Sequence, residues 1–252
     1  MFKKLLASVG IGNANVDLII LSHHLIPGEN FDVEIRFKGG NVAQEINGIT
    51  LALMTQAKYE EEDAEGEEYS AYKNLILQQW DIEWAGTVEP HQEYAERFEL
   101  DLHPETPLTT IGDKLNQSRV WIETGLDIQS GLDASDRDFL DVSPLPVQYA
   151  LLAAMESLGY YLKKVDVELG QLRYSGANSS LNCYQEIEFG LRGSGLFGIK
   201  EVEVTFINDG HETEVVLEID RTFGSDTYRM LVLDNHLTDI NEITRKLQSA
   251  LA

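Results

Sequence analysis

Cysteine is nearly missing from this chain: Cys183 is the single one among 252 residues. No internal disulfide can form, and a zinc site built on cysteine ligands is excluded. Long apolar runs are missing too, with nothing near the ~18 uninterrupted apolar residues of a membrane-spanning helix. Basic residues are scarce: 19 Lys and Arg stand against 43 Asp and Glu, for a net charge of −24. So acidic a chain has no general surface for neutralising phosphates. That excludes non-specific binding of DNA or RNA and general attraction to anionic lipid. Met1 to Gly12 is too short for a secretory signal and has no small-x-small cleavage site. The expectation is a soluble cytoplasmic protein.

What is present suffices for a core. Hydrophobic residues make up 43% of the chain, which argues against disorder despite the charge. The charge is spread evenly, −13 over residues 1–124 and −11 over residues 125–252. One run stands out. Glu60, Glu61, Glu62, Asp63, Glu65, Glu67 and Glu68 crowd into nine residues. Such a run repels itself, and a solvated loop at an exposed hairpin tip is expected. A site for a cation or a basic partner is the alternative.

Most of the chain alternates with period two. Phe31, Val33, Ile35 and Phe37 oppose Asp32, Glu34 and Arg36, and Ile49, Leu51 and Leu53 share one face. Val120 with Ile122, Val165 with Val167 and Leu169, and Val202 with Val204 and Phe206 repeat the pattern. Half-buried strands between Gly, Pro, Asn and Asp turns predict antiparallel sandwiches. The Glu residues that alternate in these strands read as a solvent face.

Three segments break the rhythm. Phe2, Leu5, Leu6 and Val9 lie on one helical face, with Lys3 and Lys4 off it. Val147 to Leu158 has helical spacing, with Pro144 and Pro146 before it and Gly159 after it. Asp239 with Glu242 forms a capping box ahead of Ile240, Ile243, Leu247 and Leu251. The expected organisation is a helix at 1–12, a sandwich at 13–130, an acidic linker and helix at 131–159, a second sandwich at 160–235 and a helix at 236–252.

Catalytic motifs fail on inspection. Gly193-Ser194-Gly195-Leu196-Phe197-Gly198 fits a dinucleotide pattern, but it opens a strand-like segment where a helix N-terminus is required. Asp133, Asp136, Asp138 and Asp141 form a carboxylate cluster around Arg137. They lack calcium-loop spacing, so an acidic interdomain loop is expected, with a cation site or cation-dependent enzyme as the alternative. The six histidines show no zinc-protease spacing, and His23 and His24 in a strand would face opposite ways. No serine elbow is present, and Cys183 reads as a small buried hydrophobe. No cofactor is implied.

Two stretches resemble known proteins. Pro27-Gly28-Glu29, with Phe31, Ile35, Gly39-Gly40, Gln44, Ile46, Ile49, Leu51 and Leu53, resembles the opening hairpin of arrestin-like domains. Phe2 to Gly12 is similar to the N-terminus of the bacterial stage-zero sporulation protein M family, the sporulation-control proteins. Gly125 to Asp138 with Val142 and Pro144, then Leu151 to Glu168, Glu186 to Phe189 and Lys200 to Val204, resemble the same family. The resemblance is poor across 60–115. It implies an all-β fold of two arrestin-like antiparallel β-sandwich lobes with three short helices. It also implies a non-enzymatic regulator or adaptor in sporulation or cell-cycle control.

The expected partners are therefore proteins, held at sheet edges or between lobes, with a homodimer through sheet edges as one form. Phe2, Lys3, Lys4, Leu5 and Leu6 form one candidate interaction surface, and Glu60, Glu61, Glu62 and Asp63 another. The first would allow peripheral contact with the inner membrane.

Overall fold

A computed structural model describes residues 14–63, 65–128, 134–174, 176–191, 198–222 and 225–252. The helix expected at 1–12, Asp133 and the glycine-rich stretch 193–197 lie outside these residues.

The first half is a sandwich. One sheet orders β1 (Asn15–Ile20), β2 (Asn30–Lys38) and β6 (Glu93–Asp101) antiparallel. The facing sheet centres on β3 (Gln44–Glu62). On one side β3 carries β4 (Glu68–Ile82) and the short β5 (Gly86–Val88), and on the other β7 (Val120–Ile128) and then β8 (Ala134–Phe139). Phe31, Val33, Ile35 and Phe37 from one sheet meet Ile49, Leu51, Leu53 and Ile122 from the other in a single core. The period-two pattern places them there, because alternate strand residues face one layer.

The second half builds on β9 (Tyr160–Leu169), β12 (Cys183–Leu191), β13 (Ile199–Asn208), β14 (Glu212–Arg221) and β15 (Thr227–Asp234), all antiparallel. Its apolar face, with Val165, Ile187, Val204 and Leu217, packs against helices α1 (Pro146–Ser157) and α2 (Ile240–Leu251). The other face is partly covered by the hairpin β10 (Arg173–Tyr174) and β11 (Ala177–Asn178), through Tyr174, Tyr228 and Met230. The all-β class holds, and in this half helices supply the layer opposite the sheet's apolar face.

Local signals explain the helix ends. The Gln148 side chain accepts a hydrogen bond from Leu145 N–H at 2.8 Å, satisfying a donor just before α1. The Asp239 carboxylate accepts from Asn241 and Glu242 N–H ahead of α2.

Among the described residues the lobes share apolar packing, with Val167 and Cys183 in the first lobe's core, and are joined through backbone and polar groups in two places. Strand β3 runs 19 residues, and beyond its own sandwich Lys58 pairs in parallel with Glu168 of β9, so one sheet crosses both halves. The segment between β6 and β7 makes the second junction. Leu108 N–H donates to Gln185 Oε1, while Gln185 Nε2 donates to the Leu108 carbonyl and to Ser118 Oγ. The Glu105 carboxylate accepts from Ser179 Oγ and Ser180 N–H.

Two expectations change. The acidic run is not all loop: Glu60–Glu62 finish β3, Glu68 opens β4, and Asp63 Oδ1 accepts from Glu65 and Glu67 N–H to form the turn. Cross-strand pairing continues through the acids because their side chains fan into solvent. The acidic interdomain loop is also partly strand. Residues 134–139 pair with the edge of β7, from Leu126↔Ala134 to Trp121↔Phe139. Pairing to an open edge supplied the order that composition did not signal.

Candidate functional site

The carboxylates proposed as a cation site are only partly brought together. Asp136 and Asp138 sit two apart on β8, so both face one way, and there they meet Asp17 of β1 with donor oxygens within 4.8 Å of one another. Asp141 lies outside this group, in an exposed position beyond β8. Burial, then Asp136 and Asp17, pushes the Asp138 carboxyl up to about 6. The opposite side of β8 is different in character. Arg137 lies over the Trp121 ring at 5.0 Å and Phe139 packs beside it at 5.9 Å. Ile76, Met54, Trp121 and Phe139 are consecutive cross-strand partners, forming an apolar row over four strands.

The solvent face expected for the alternating Glu residues is half-buried in the second lobe. Asp166, Glu168 and Glu186 form one carboxylate group, and Glu188, Glu201 and Glu203 another. Cross-strand register stacks them: Glu186 opposes Asp166, Glu188 opposes Glu203, and Glu203 opposes Glu218. Lysines enter both groups. Lys58 meets Glu168 at 3.0 Å, Lys164 meets Asp166, and Lys163 bridges Glu188 and Glu201. Asp166 is 3% exposed. Burial first, then neighbouring carboxylates, pushes Glu186 up to about 8 and Glu203 up to about 7. Ammonium groups and protons thus supply the positive charge. These residues escaped sequence reasoning because alternation gives a face but not what stacks across it.

Cys183 is buried as expected, and burial pushes its thiol up to about 12, the reverse of a nucleophile. His23 and His24 lie in an exposed bend between β1 and β2, so the strand argument does not apply to them. Glu60, Glu61, Glu62 and Asp63 are exposed or nearly so at the hairpin tip.

The sequence predicts a contact surface between the lobes without naming its lining. A groove of about 1130 Å³ runs along α1 at the junction of the halves, lined by Ile26, Pro144, Tyr149, Leu152, Tyr161 and Ile240. α1 buries Val147, Ala150, Leu151, Ala154 and Met155 against the sheet. Its outward side still carries Tyr149, at 67% exposed, and Leu152. Tyr161 is held in place by its β-partner Gly190, where a Cβ would sit 2.7 Å from the Tyr161 ring. One sequence signal was available: the α1 segment is apolar on both faces, and a helix of that kind is normally covered all round.

The fold and these surfaces define a two-lobed, all-β protein whose open features are a groove, sheet edges and a hairpin arm. The chain belongs to the SpoOM protein family, whose pattern matches residues 2–223. It is 34% identical over 222 residues to the sporulation-control protein Spo0M of Bacillus subtilis strain 168, covering 87% of this chain and 80% of that protein. The crystal structure of Spo0M from Bacillus subtilis superposes with a TM-score of 0.78 at 28% identity, over 96% of this chain and 98% of that one.

Proposed function

We propose that the chain is a non-enzymatic regulator of the sporulation-control type, acting by holding a protein segment in the groove along α1. One observation carries this reading: an apolar concavity of about 1130 Å³ at the lobe junction, with an exposed tyrosine on its rim. Aromatic side chains beside apolar pockets are the usual anchors of protein contacts. The perturbed carboxylates of the second lobe are matched by lysines and by one another.

Capture from native lysate with crosslinking tests it. A partner recovered by the intact chain should be lost with Tyr149→Asp plus Leu152→Asp. Equal recovery by both forms would sink the groove reading.

A second reading concerns residues 1–12. Chain direction places Ala14 at the end of β1 that pairs with Lys38, whereas Ile20 and Leu25 lie toward the lobe junction. In this reading Phe2, Leu5 and Leu6, with Lys3 and Lys4, bind a membrane surface peripherally. Liposome co-sedimentation of the intact chain against Leu5→Asp plus Leu6→Asp decides this, and equal pelleting removes it.

A further inference from the structure

Sheet edges are where one chain can pair with another, and soluble proteins guard them with charge or caps. Most edges described here are guarded. β1 carries Asp17, β8 carries Asp136 and Asp138, and β6 carries Glu93, Glu96, Glu99 and Asp101. On β15, the Tyr228 carbonyl already accepts from Tyr174 OH and from Arg229. β4 is the exception. It pairs with β3 alone among the described strands, over 15 residues. Residues 69–80 contain no acid and a single lysine, Lys73, in a chain with 43 acids. The same stretch exposes Tyr72 at 53% and Ile76 at 58%.

We infer that β4 is a self-association edge, pairing antiparallel with β4 of a second copy about a two-fold axis at Asn74. This surface is separate from the groove, and the inference does not rest on the groove reading. A strand's backbone groups point alternately toward β3 and away from it. Outward-pointing residues must oppose outward-pointing residues of the partner, so a two-fold pairing is centred on a residue and not between two. Centring on Lys73 would oppose two ammonium groups. Centring on Tyr72 would set Glu68 against Ile76. Centring on Asn74 sets Tyr72 opposite Ile76 twice and Lys73 opposite Leu75, covering the two most exposed large apolar side chains of the strand. Leu77 is an extra residue at a bulge opposite Leu53 and Met54, and it ends the regular register. The clean pairing is therefore 72–76 on each strand.

The second copy is the occupant that charge favours. Each chain carries −24, so two copies approach only where acids do not face acids, and 69–80 is such a place. Asn74 opposing itself also satisfies the isologous requirement of a two-fold contact.

The full-length chain in sedimentation equilibrium should show a monomer–dimer equilibrium that tightens as salt screens the net charge. Tyr72→Lys plus Ile76→Lys should weaken dimerisation by more than about tenfold, with an unchanged thermal midpoint. Under mild oxidant, Asn74→Cys should form a symmetric interchain disulfide, while Gln79→Cys should not, and the buried Cys183 stays silent. A chain that is monomeric at every accessible concentration overturns the inference. So does a dimer that survives the double lysine change, or one in which Gln79→Cys links as readily as Asn74→Cys.

Discussion

Residues 1–124 and 125–252 carry nearly equal charge, −13 and −11, yet the two lobes dispose of their acids differently. The first lobe puts most of its acids at a hairpin tip and along strand edges, in water. Among its described carboxylates, Asp138 is pushed up to about 6 by burial and its acidic neighbours, while buried Glu34 is held below the usual range by Arg97 and Arg36. The second half stacks acids in register on one partly covered sheet face, where burial and mutual repulsion hold Glu186 and Glu203 well above it. The same residue type is therefore mostly a solubility device in the first lobe, Asp138 apart, and a stacked titrating group in the second. Cross-strand register and cover make the difference.

That contrast can be broken at four places. The largest effect is expected at the weld between halves. Gln185→Ala removes three hydrogen bonds to Leu108 and Ser118 and leaves the Leu108 N–H unpaired, while its carbonyl keeps Asn116, at a cost of about 1–3 kcal/mol. Urea titration followed by two probes checks it, and separate midpoints for the two halves would show that this junction is required to couple them. Asp166→Asn comes next. It strips Lys58 and Lys164 of a buried partner, for an expected loss of about 1–2 kcal/mol in the same titration. A gain in stability would show that repulsion from the neighbouring acids outweighs the lysine pairs.

The third is a pH profile. Glu186 and Glu203 bind protons more tightly folded than unfolded, so their contribution is fully present below about 4.5 and is lost as pH rises through about 7 and 8. The thermal midpoint should fall by a few °C between pH 6 and pH 9, and Glu186→Gln should remove part of that fall. A parallel profile in the variant would refute the assignment. The smallest effect is at the tip. Glu61→Gln plus Glu65→Gln should shift stability by less than about 0.5 kcal/mol, because neither acid is buried.

Much of the fold was written in local pattern. Alternation at Phe31–Phe37 and Ile49–Leu53 named core faces, Pro146 marked the start of α1, and Asp239 capped α2. What escaped was long-range. No local signal shows that Ala134–Phe139 finds the edge of β7, or that Lys58 reaches Glu168. The candidate surfaces were less legible than the fold. Two of four linker aspartates meet a third from residue 17, and the groove draws on segments from residues 26 to 240. Such sites exist only after packing.

The shared strand β3 also orders events during synthesis. Residues 44–62 leave the ribosome about a hundred residues before β9 and can pair at once with β4 and later with β7. Their distal part has no second neighbour until 160–169 emerges. For that interval the nascent first lobe shows an open strand on each side of its arm. Chaperone occupancy or ribosome-bound misassembly should therefore concentrate in the window between completion of β7 and arrival of β9.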